Sequence, residues 1–260
     1  MAETESLLFT VENGVGWLRL NRPEARNAMT WAMYDALAAA CDTVDGDDEL
    51  RVLILRGAGG RAFVAGTDIS QFRAFETPED ALDYERRMDR VITRLEKVGK
   101  PTLAAIAGVA AGGGAAIALA CDLRYCTPES TIGIPIARTI GNCLSMANYA
   151  RLVDLLGPAR TKELIFRARL LPAEEARQAG LVSEVVPADR LEERVRQVAG
   201  EIAGHAPITL RVTKEALRRL QLARRPPECD DLIVQAYLSE DFREGVQAFL
   251  AKRAPAFRGR

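Results

Sequence analysis

The stretch Arg61-Ala62-Phe63-Val64-Ala65-Gly66-Thr67-Asp68-Ile69 and a second one, Gly108-Val109-Ala110-Ala111-Gly112-Gly113-Gly114-Ala115, each place small residues between a predicted strand and a predicted helix. Small residues let the backbone approach a ligand closely, and free N–H groups at the start of a helix carry partial positive charge. Two such N–H groups converging on one oxygen would form an oxyanion hole. The alternative is that these glycines only permit tight turns and close packing.

The glycine triplet does not match the phosphate-binding patterns of nucleotide enzymes. Counted from Gly112, the G-x-G-x-x-G/A pattern needs Gly or Ala where this chain has Ile117. The P-loop pattern also fails, because no Gly-Lys-Ser/Thr follows the triplet. A dinucleotide-binding fold is therefore a poor interpretation of this segment.

Around these stretches the first half of the chain alternates strand-like and helix-like segments. Residues 15–20 and 52–55 are typical of strands, Thr30 can cap a helix to about residue 44, and residues 78–98 form a longer helical pattern. From residue 142 onward the pattern is almost entirely helical. The helical segments are residues 145–156, 172–178, 191–202, 209–220 and 232–249. This order predicts an α/β catalytic core over residues 1–200 and a helical extension over residues 201–260.

The composition is that of a globular protein. The 260 residues carry a net charge of −1, with 48% hydrophobic and 27% charged residues, which argues against a dedicated binder of nucleic acid or of anionic membranes. The acidic opening segment does not resemble a signal peptide, because it lacks the basic region and the apolar core that such a peptide has. The longest apolar stretch, residues 103–120, is interrupted by glycines and predicts a buried strand and helix instead of a membrane span.

Five cysteines, an odd number without metal-type spacing, predict reduced thiols in a cytoplasmic protein. They are Cys41, Cys121, Cys126, Cys143 and Cys229. Cys143 could act as a nucleophile, but the sole histidine, His205, is remote in sequence, so we expect an inert thiol. Neither a metal site nor a Cys–His dyad is predicted.

Five sets of segments follow one another along nearly the whole chain, and two of them contain residues of the stretches quoted above. They are Asn21-Arg22-Pro23-Glu24-Ala25-Arg26-Asn27-Ala28-Met29; Phe63-Val64-Ala65-Gly66-Thr67-Asp68-Ile69; Ala105-Ile106-Ala107-Gly108 with Gly112-Gly113-Gly114 and Cys121-Asp122-Leu123-Arg124; Ala173-Glu174-Glu175-Ala176 with Gly180-Leu181-Val182 and Val185-Val186; and Glu244-Gly245, Ala248-Phe249 and Lys252-Arg253. Each set is weak alone. Together, and in this order, they resemble the crotonase (enoyl-CoA hydratase/isomerase) superfamily.

The resemblance implies a crotonase-like spiral of ββα units with a helical C-terminal trimerisation region, so we expect a homotrimer or a dimer of trimers. It implies an acyl-CoA substrate, as in fatty acid metabolism, and no cofactor beyond the CoA moiety of that substrate. Carried over by position, the oxyanion hole would consist of the backbone N–H groups of Thr67 and Gly113. These donors would stabilise negative charge on the thioester oxygen when an enolate forms.

The resemblance also implies a set of residues that contact CoA. They are Arg26, Ala65, Ile69, Phe249 and Lys252. The last two could reach CoA from a neighbouring subunit. For Arg26 and Lys252 the alternative is a solvated surface charge.

The two glutamates expected of an enoyl-CoA hydratase are missing. Hydratases use the pair to hold and activate the water that adds across the double bond. The matching positions here are Ala116 and Ile136, and no Asp or Glu occurs within residues 103–121 or 130–153. This departure argues against two-glutamate hydration. It also weakens the usual single-carboxylate isomerase, whose base normally comes from the second segment.

Other polar residues leave alternatives open. Arg138 could bind a substrate carboxylate, which would fit a decarboxylase or a dicarboxyl-CoA substrate, or it could pair with a neighbouring loop. Asp68, beside the predicted oxyanion hole, could act in catalysis or cap a local turn. Asn142 and Ser145 could cap the helix that follows. The helix over residues 78–98 could present a side chain to the pocket, the candidates being Asp83, Tyr84, Glu85 and Asp89.

These observations predict an acyl-CoA-processing enzyme that stabilises a thioester enolate. Isomerisation, decarboxylation and thioester cleavage remain open as its reaction. The alternative is a non-catalytic acyl-CoA-binding homologue, since missing carboxylates would suit it and binding alone would retain the glycine turns. RNA binding would need a basic surface stripe, against which the balanced charge argues.

Overall fold

The computed structural model describes residues 6–223 and 230–259. In those parts ten strands form two sheets. The strands are β1 (Leu7–Glu12), β2 (Val15–Leu20), β3 (Val52–Gly57), β4 (Ala62–Val64), β5 (Thr102–Ile106), β6 (Val109–Ala111), β7 (Leu123–Cys126), β8 (Thr131–Gly133), β9 (Leu170–Pro172) and β10 (Glu184–Val185). The larger sheet has the order β1-β2-β3-β5-β7-β10, and the smaller sheet has the order β4-β6-β8-β9.

The same parts of the chain contain nine α-helices. They are α1 (Trp31–Gly46), α2 (Pro78–Glu96), α3 (Gly113–Ala120), α4 (Met146–Phe166), α5 (Ala173–Gln178), α6 (Leu191–Ala203), α7 (Pro207–Leu222), α8 (Asp230–Tyr237) and α9 (Glu240–Leu250). Short 3-10 helices include Ile69–Ala74 and Ile136–Arg138, which lie on the two sides of the site described below.

Three consecutive ββα units build a spiral. The strands β3 and β4 precede α2, β5 and β6 precede α3, and β7 and β8 precede α4. In each unit the first strand joins the larger sheet and the second joins the smaller one, so the chain crosses between the sheets and returns through a helix. The pairing of equivalent strands in successive units is parallel. The predicted α/β class and ββα spiral are therefore confirmed.

Strand β3 shows why the larger sheet is covered on both faces. Successive side chains of a strand point to opposite faces. Leu53 and Leu55 pack into the main core with helices α1 to α4, whereas Val52 and Ile54 pack into a second core against α6. All four side chains are buried, which explains why this segment is continuously apolar instead of alternating.

Two helical predictions need correction. The single helix predicted over residues 232–249 is two helices, α8 and α9, because Ser239 takes an extended conformation and accepts a hydrogen bond from the Phe242 amide as the N-cap of α9. The helix predicted over residues 145–156 continues to Phe166 beyond a kink at Gly157, whose φ of 72° is left-handed. Pro158 follows immediately and starts the next helical turns, as proline does well at a first helical position.

The region predicted to be almost entirely helical also contains two short strands. One, β9, closes the edge of the smaller sheet beside β8, and the other, β10, pairs with β7 in the larger sheet. Both are three residues or shorter, which is too short for a period-two pattern to stand out in the sequence.

No helix in residues 6–223 or 230–259 has the length and apolar character needed to cross a lipid bilayer. The apolar residues 103–120 form β5, β6 and α3, as the glycine interruptions predicted. Cys41, Cys121, Cys126 and Cys143 are free thiols, while Cys229 lies outside the described residues.

Candidate active site

A cavity of about 190 Å³ lies between the smaller sheet and the helices α2 and α3. Its wall combines two backbone turns with buried aromatic and aliphatic side chains. The turn residues are Ala65, Gly66, Thr67, Ala111, Gly112 and Gly113; polar side chains come from Tyr34, Tyr84, Glu85, Thr139, Asn142, Cys143 and Asn148; the remaining wall is formed by Ile69, Phe72, Met88, Ile92, Ala116, Pro135, Ile136, Ile140, Leu144 and Phe249.

The two glycine-containing stretches meet at this cavity. The amide of Met29 donates to the Gly66 carbonyl at 2.9 Å, and the amide of Asp68 donates to the Met29 carbonyl at 2.9 Å. In an extended segment successive N–H groups point to opposite sides, so the Thr67 N–H points away from Met29. Gly113 is the first residue of α3, so its N–H has no partner within that helix. Within the described residues, neither of these two amides donates to another protein atom.

Gly113 sits so close to its neighbours that a side chain would not fit. A Cβ built on it would lie 2.4 Å from the Tyr34 hydroxyl oxygen, 3.0 Å from the Thr67 Oγ1 and 3.7 Å from the Thr67 backbone nitrogen. Gly112, the N-cap of α3, has a φ of 53°, which favours glycine. The two stretches are thus in direct contact, and glycine at position 113 is what permits that contact.

A chain of hydroxyl groups runs beside the two amides. The Thr67 Oγ1 lies 2.9 Å from the Tyr34 hydroxyl and 3.4 Å from the Tyr84 hydroxyl. Burial raises the pKa of Tyr34 to about 12 and the pKa of Tyr84 well above its usual value of 10. Both phenols are therefore neutral donors at physiological pH.

Among the residues that the structure describes, Glu85 alone supplies a carboxyl group to the wall of this cavity. It is 5% exposed, and burial raises the pKa of its carboxyl from the ordinary 4.5 to about 8, with the negative charge of Asp89 adding to the rise. Hydrogen bonds from the Tyr237 hydroxyl and from the Ser145 backbone act in the opposite direction. A carboxyl with this pKa exchanges its proton close to physiological pH, which is the property of an acid–base catalyst.

Helical spacing on α2 decides which acid reaches the cavity. Glu85, Met88 and Ile92 lie on one face and line the cavity. Asp83 points to solvent, where its side chain is 77% exposed and pairs with Arg86. Asp89 is engaged with the Ser145 hydroxyl at 2.6 Å. Of the four candidates on this helix, the structure therefore places Glu85 and Tyr84 at the cavity.

The positions matched to the two hydratase glutamates also face the cavity. Ala116 lies on α3 and Ile136 opens the 3-10 helix after β8, and each is 7% exposed. Both contribute only apolar surface. In the described part of the chain, the cavity wall therefore lacks a second carboxylate that would hold a water.

Sequence comparison identifies the family of proteins that shares this arrangement. The model of the enoyl-CoA hydratase/isomerase family matches residues 10–260. The chain belongs to this family. It is accordingly an acyl-CoA-processing enzyme with the crotonase fold.

Relatives within the family catalyse different reactions. A short-chain-enoyl-CoA hydratase of Clostridium acetobutylicum is 30% identical over 260 residues, covering 96% of this chain and 97% of the relative. A 1,2-epoxyphenylacetyl-CoA isomerase of Escherichia coli is 34% identical over 262 residues, covering 98% and 99%. The solved structure of a methylmalonyl-CoA decarboxylase in complex with 2-nitronate-propionyl-CoA has a TM-score of 0.90 at 28% identity, covering 98% and 99%. Family membership therefore leaves the reaction to be argued from the site.

The residues matched to CoA contacts divide into two groups in this crotonase. Ala65, Ile69 and Phe249 line the cavity, and Phe249 reaches it from α9 of the same chain. Arg26 and Lys252 are exposed and lie outside the wall, although the Ala65 amide donates to the Arg26 carbonyl at 3.1 Å. The two cationic side chains are therefore placed at the surface, with Arg26 directly next to the cavity turn.

Asp68 and Arg138 both lie outside the cavity wall. The Asp68 carboxylate caps the 3-10 helix Ile69–Ala74 through the Ser70 amide and hydroxyl and also meets Arg22 at 3.4 Å. The hydrogen bonds from Ser70 and the Arg22 charge hold the pKa of Asp68 below its usual value, even though burial opposes them. Arg138 is exposed at the end of its 3-10 helix, two residues beyond Ile136.

The remaining polar residues of the segment around residue 140 take different positions. Ser145 caps α4, as expected, through a bond from the Asn148 amide. Asn142 does not cap it; its Nδ2 donates to the Tyr237 hydroxyl at 2.9 Å. Cys143 lines the cavity, but burial raises the pKa of its thiol to about 12, so it is not a ready nucleophile. In the described parts of the chain, no cluster of His, Cys, Asp and Glu is arranged to hold a metal ion.

Proposed function

We propose that this enzyme isomerises an unsaturated acyl-CoA by moving a proton through a thioester enolate. Glu85 would carry the proton, and the N–H groups of Thr67 and Gly113 would bind the thioester oxygen. One observation supports this assignment above the others: within residues 6–223 and 230–259, Glu85 alone brings a carboxyl group to the cavity wall, and its pKa of about 8 suits both removal and return of a proton.

The reaction balances with one acid–base group. The Glu85 carboxylate takes a proton from the α-carbon, and the electron pair of that C–H bond moves into a dienolate that spans the thioester and the double bond. The protonated Glu85 then gives the same proton to the γ-carbon, which moves the double bond into conjugation. No water, oxidant or cofactor is consumed, and CoA acts only as part of the substrate.

The two backbone donors would lower the barrier to enolate formation. Both amides lack protein partners within the described chain, and Gly113 opens α3, whose N-terminal dipole favours negative charge. Loss of one donor of this kind costs about 10²–10³ in kcat. The CoA portion would pass over Ala65, Ile69 and Phe249 toward the cations Arg26 and Lys252.

Hydration is the reaction that this cavity supports least. A hydratase has to hold a water and move two protons, which is the work of two carboxylates. Ala116 and Ile136 present no polar atom from their side chains, so they can neither hold the water nor activate it. A single proton carrier is enough for isomerisation.

Decarboxylation is a second candidate, favoured by the TM-score of 0.90 with the methylmalonyl-CoA decarboxylase structure. Loss of CO₂ from a carboxyacyl-CoA would leave a thioester enolate whose oxygen is bound by the N–H groups of Thr67 and Gly113. Protonated Glu85 would then deliver its proton to the α-carbon. Arg138 would be the candidate cation for the substrate carboxylate. This route uses the protonated form of Glu85, whereas isomerisation begins from the carboxylate.

The two routes predict opposite pH profiles, and one variant tests both. Incubation with unsaturated and carboxylated acyl-CoAs in heavy water, followed by mass spectrometry, reports double-bond shift, deuterium gain or loss of CO₂. For isomerisation kcat/KM rises with pH up to about 8, and for decarboxylation it falls above about 8, because the pKa of Glu85 is about 8.

We expect Glu85→Gln to lower turnover by about 10²–10⁴-fold.

A matched control is Asp83→Asn, which removes an exposed carboxylate from the same helix and is expected to leave turnover unchanged. Wild-type turnover in a folded Glu85→Gln variant would disprove the assignment of Glu85. Tight binding of acyl-CoA with no exchange or mass change in the wild-type protein would instead favour the non-catalytic binder.

We also propose that α7 forms the contact between subunits of a homotrimer. No residue of this helix is buried in the single chain. Its apolar side chains are largely exposed, namely Ile208 (66%), Val212 (58%), Leu217 (56%), Leu220 (60%) and Leu222 (42%). A helix with this much exposed apolar surface is stabilised when a second copy of the chain covers it.

A further inference from the structure

Glu85 has a partner that comes from the C-terminal region of the chain. The Tyr237 hydroxyl, at the end of α8, donates a hydrogen bond to Glu85 Oε1. Tyr237 is 2% exposed and packs among aromatic rings, with centroid distances of 4.8 Å to Phe242 and 5.8 Å to Tyr84. The ring is therefore held in place, and its hydroxyl can meet Glu85 without ordering a mobile side chain.

The direction of this hydrogen bond decides which group Asn142 presents to the Tyr237 hydroxyl. The Tyr237 hydroxyl has one proton and gives it to Glu85, so the group that Asn142 presents at 2.9 Å has to be its NH₂ donor. The Asn142 Oδ1 correspondingly has no partner among the described residues. Donation from Asn142 also polarises the phenol, which strengthens its bond to the carboxylate.

The Tyr237 hydroxyl acts on the charged form of Glu85. A donor to a carboxylate stabilises the ionised state, and Tyr237 offsets part of the rise in the pKa of Glu85 that burial causes. Tyr237 itself has a pKa raised well above 10, so it remains a donor throughout the working range. The other titratable side chains that act on Glu85 or face the same cavity are Tyr34, Tyr84, Asp89, Cys143 and Tyr149.

We propose that Tyr237, oriented by Asn142, is a positioning residue that holds the Glu85 carboxyl at the cavity wall and sets the protonation state from which it works. The inference rests on the proposed role of Glu85 as the proton carrier. It makes α8 part of the active site, together with α2 and the segment before α4. The helices that follow the ββα spiral would then contribute to the chemistry as well as to assembly.

The test is Tyr237→Phe, which keeps the ring and its packing and removes only the hydroxyl. Without the donor the carboxylate loses stabilisation, so the pKa of Glu85 moves upward by about one pH unit. Isomerisation needs the carboxylate, so we expect the rising limb of kcat/KM to move up by the same amount and turnover at pH 7 to fall about tenfold. Asn142→Ala should shift the limb in the same direction by a smaller amount, and it keeps the test available if Tyr237→Phe does not fold.

A second measurement reports Glu85 without using activity. The carbonyl stretch of the protonated carboxyl can be titrated by difference infrared spectroscopy and assigned by its loss in Glu85→Gln. Tyr125→Phe is the matched control, because Tyr125 is a buried tyrosine on β7, outside the cavity wall, and its loss should shift neither titration. A folded Tyr237→Phe variant with the wild-type profile and the wild-type infrared titration would overturn the positioning role.

The outcome of Glu85→Gln separates the two proposals. If this variant loses turnover while Tyr237→Phe changes neither titration, the proton carrier stands and the positioning role fails. If Glu85→Gln keeps wild-type turnover, the proposed function fails, and the inference fails with it.

Discussion

Glu85 and Asp83 show how little the identity of an acidic residue says about its chemistry. The two lie two positions apart on α2, and both carry a carboxyl group. The Asp83 side chain is 77% exposed and pairs with Arg86, whereas Glu85 is enclosed by tyrosines and aliphatic side chains. Burial disfavours the ionised form and raises the pKa of Glu85 to about 8. The candidate catalyst is defined by its surroundings.

The raised pKa of Glu85 predicts a dependence of stability on pH. In the folded protein its pKa is about 8, and in the unfolded chain it returns to about 4.5. Between these values the folded state keeps the proton that the unfolded state releases, so the free energy of unfolding falls as pH rises and levels off above about 8. For this residue alone the fall is about 3 kcal/mol between pH 5 and pH 8.

Glu85→Gln removes that contribution. We expect the variant to gain about 3 kcal/mol relative to wild type between pH 5 and pH 8, measured as the difference in free energy of unfolding in urea. The difference between the two proteins isolates Glu85 from the other titrating groups. A difference that stays constant across this range would show that Glu85 titrates normally in the folded state.

Gly113 allows a prediction about the contact between the two backbone turns. In Gly113→Ala the new Cβ would lie 2.4 Å from the Tyr34 hydroxyl oxygen and 3.0 Å from the Thr67 Oγ1. The turns would have to separate, and a displacement of this size costs on the order of 10²-fold in turnover.

A double variant identifies the cause. Tyr34→Phe removes the atom that the new methyl group meets first, so Gly113→Ala combined with Tyr34→Phe should recover part of the lost turnover. Tyr34→Phe alone is the control, because it also removes the bond to Thr67. Equal loss in the single and double Gly113→Ala variants would show that the Tyr34 contact is not responsible.

At the scale of elements, the break between α8 and α9 matters for the site. Apolar residues keep their helical period across residues 232–249, which predicts one continuous helix. The local signal for a break is nevertheless present: Ser239 is a good N-cap, and Glu240 and Asp241 are acidic residues suited to a first turn. The helical period of the apolar residues outweighs these capping signals when the segment is interpreted from sequence. The break allows Tyr237 on α8 to bond to Glu85 while Phe249 on α9 lines the cavity.

Helix α2 holds the candidate catalyst through ordinary helix chemistry. Thr77 and Asp80 form a reciprocal capping box, and Pro78 follows the cap, so the start of the helix is fixed about two turns before Tyr84 and Glu85. Its apolar face packs into the main core through Met88, Val91, Ile92 and Leu95. This framework keeps Glu85 in a fixed register relative to the turns on the opposite wall.

At the scale of the whole molecule, the spiral explains why distant segments form one site. Thr67 and Gly113 are far apart in sequence, but each follows a strand of the smaller sheet, β4 or β6. These strands are parallel neighbours, so the chain leaves both at the same edge. The ββα repeat therefore brings the two amides together, and the close packing of Gly113 against Thr67 completes their approach.

Assembly gives the remaining prediction. If α7 is the subunit contact, Ile208→Asp combined with Val212→Asp, one helical turn apart on the same face, should yield monomers in light scattering. Charged groups cannot be buried there without partners. Val11→Asp, which alters an apolar side chain 49% exposed on β1, is the control and should leave the mass unchanged. An unchanged mass for the double variant would place the contact elsewhere.

The α/β class, the alternation of strands and helices in the first half of the chain and the two glycine-containing turns follow from the sequence alone, because these features depend on local periodicity and on backbone freedom. The resemblance to the crotonase superfamily also predicts that Ala116 and Ile136 occupy the positions of the two hydratase glutamates. The sequence leaves the roles of Asp68 and Arg138 undecided, and the structure places both residues outside the cavity wall.

The placement of Glu85 at the cavity and its hydrogen bond from Tyr237 become visible in the folded chain. These two residues are 152 positions apart. A raised pKa requires exclusion of water by many side chains at once, and a hydrogen bond across such a separation requires the packing of α8 on α2. Neither the burial of Glu85 nor the packing of α8 on α2 can be deduced from a local sequence pattern. The physical reason is that burial is a property of the folded chain, whereas helical and strand periodicity are properties of each segment.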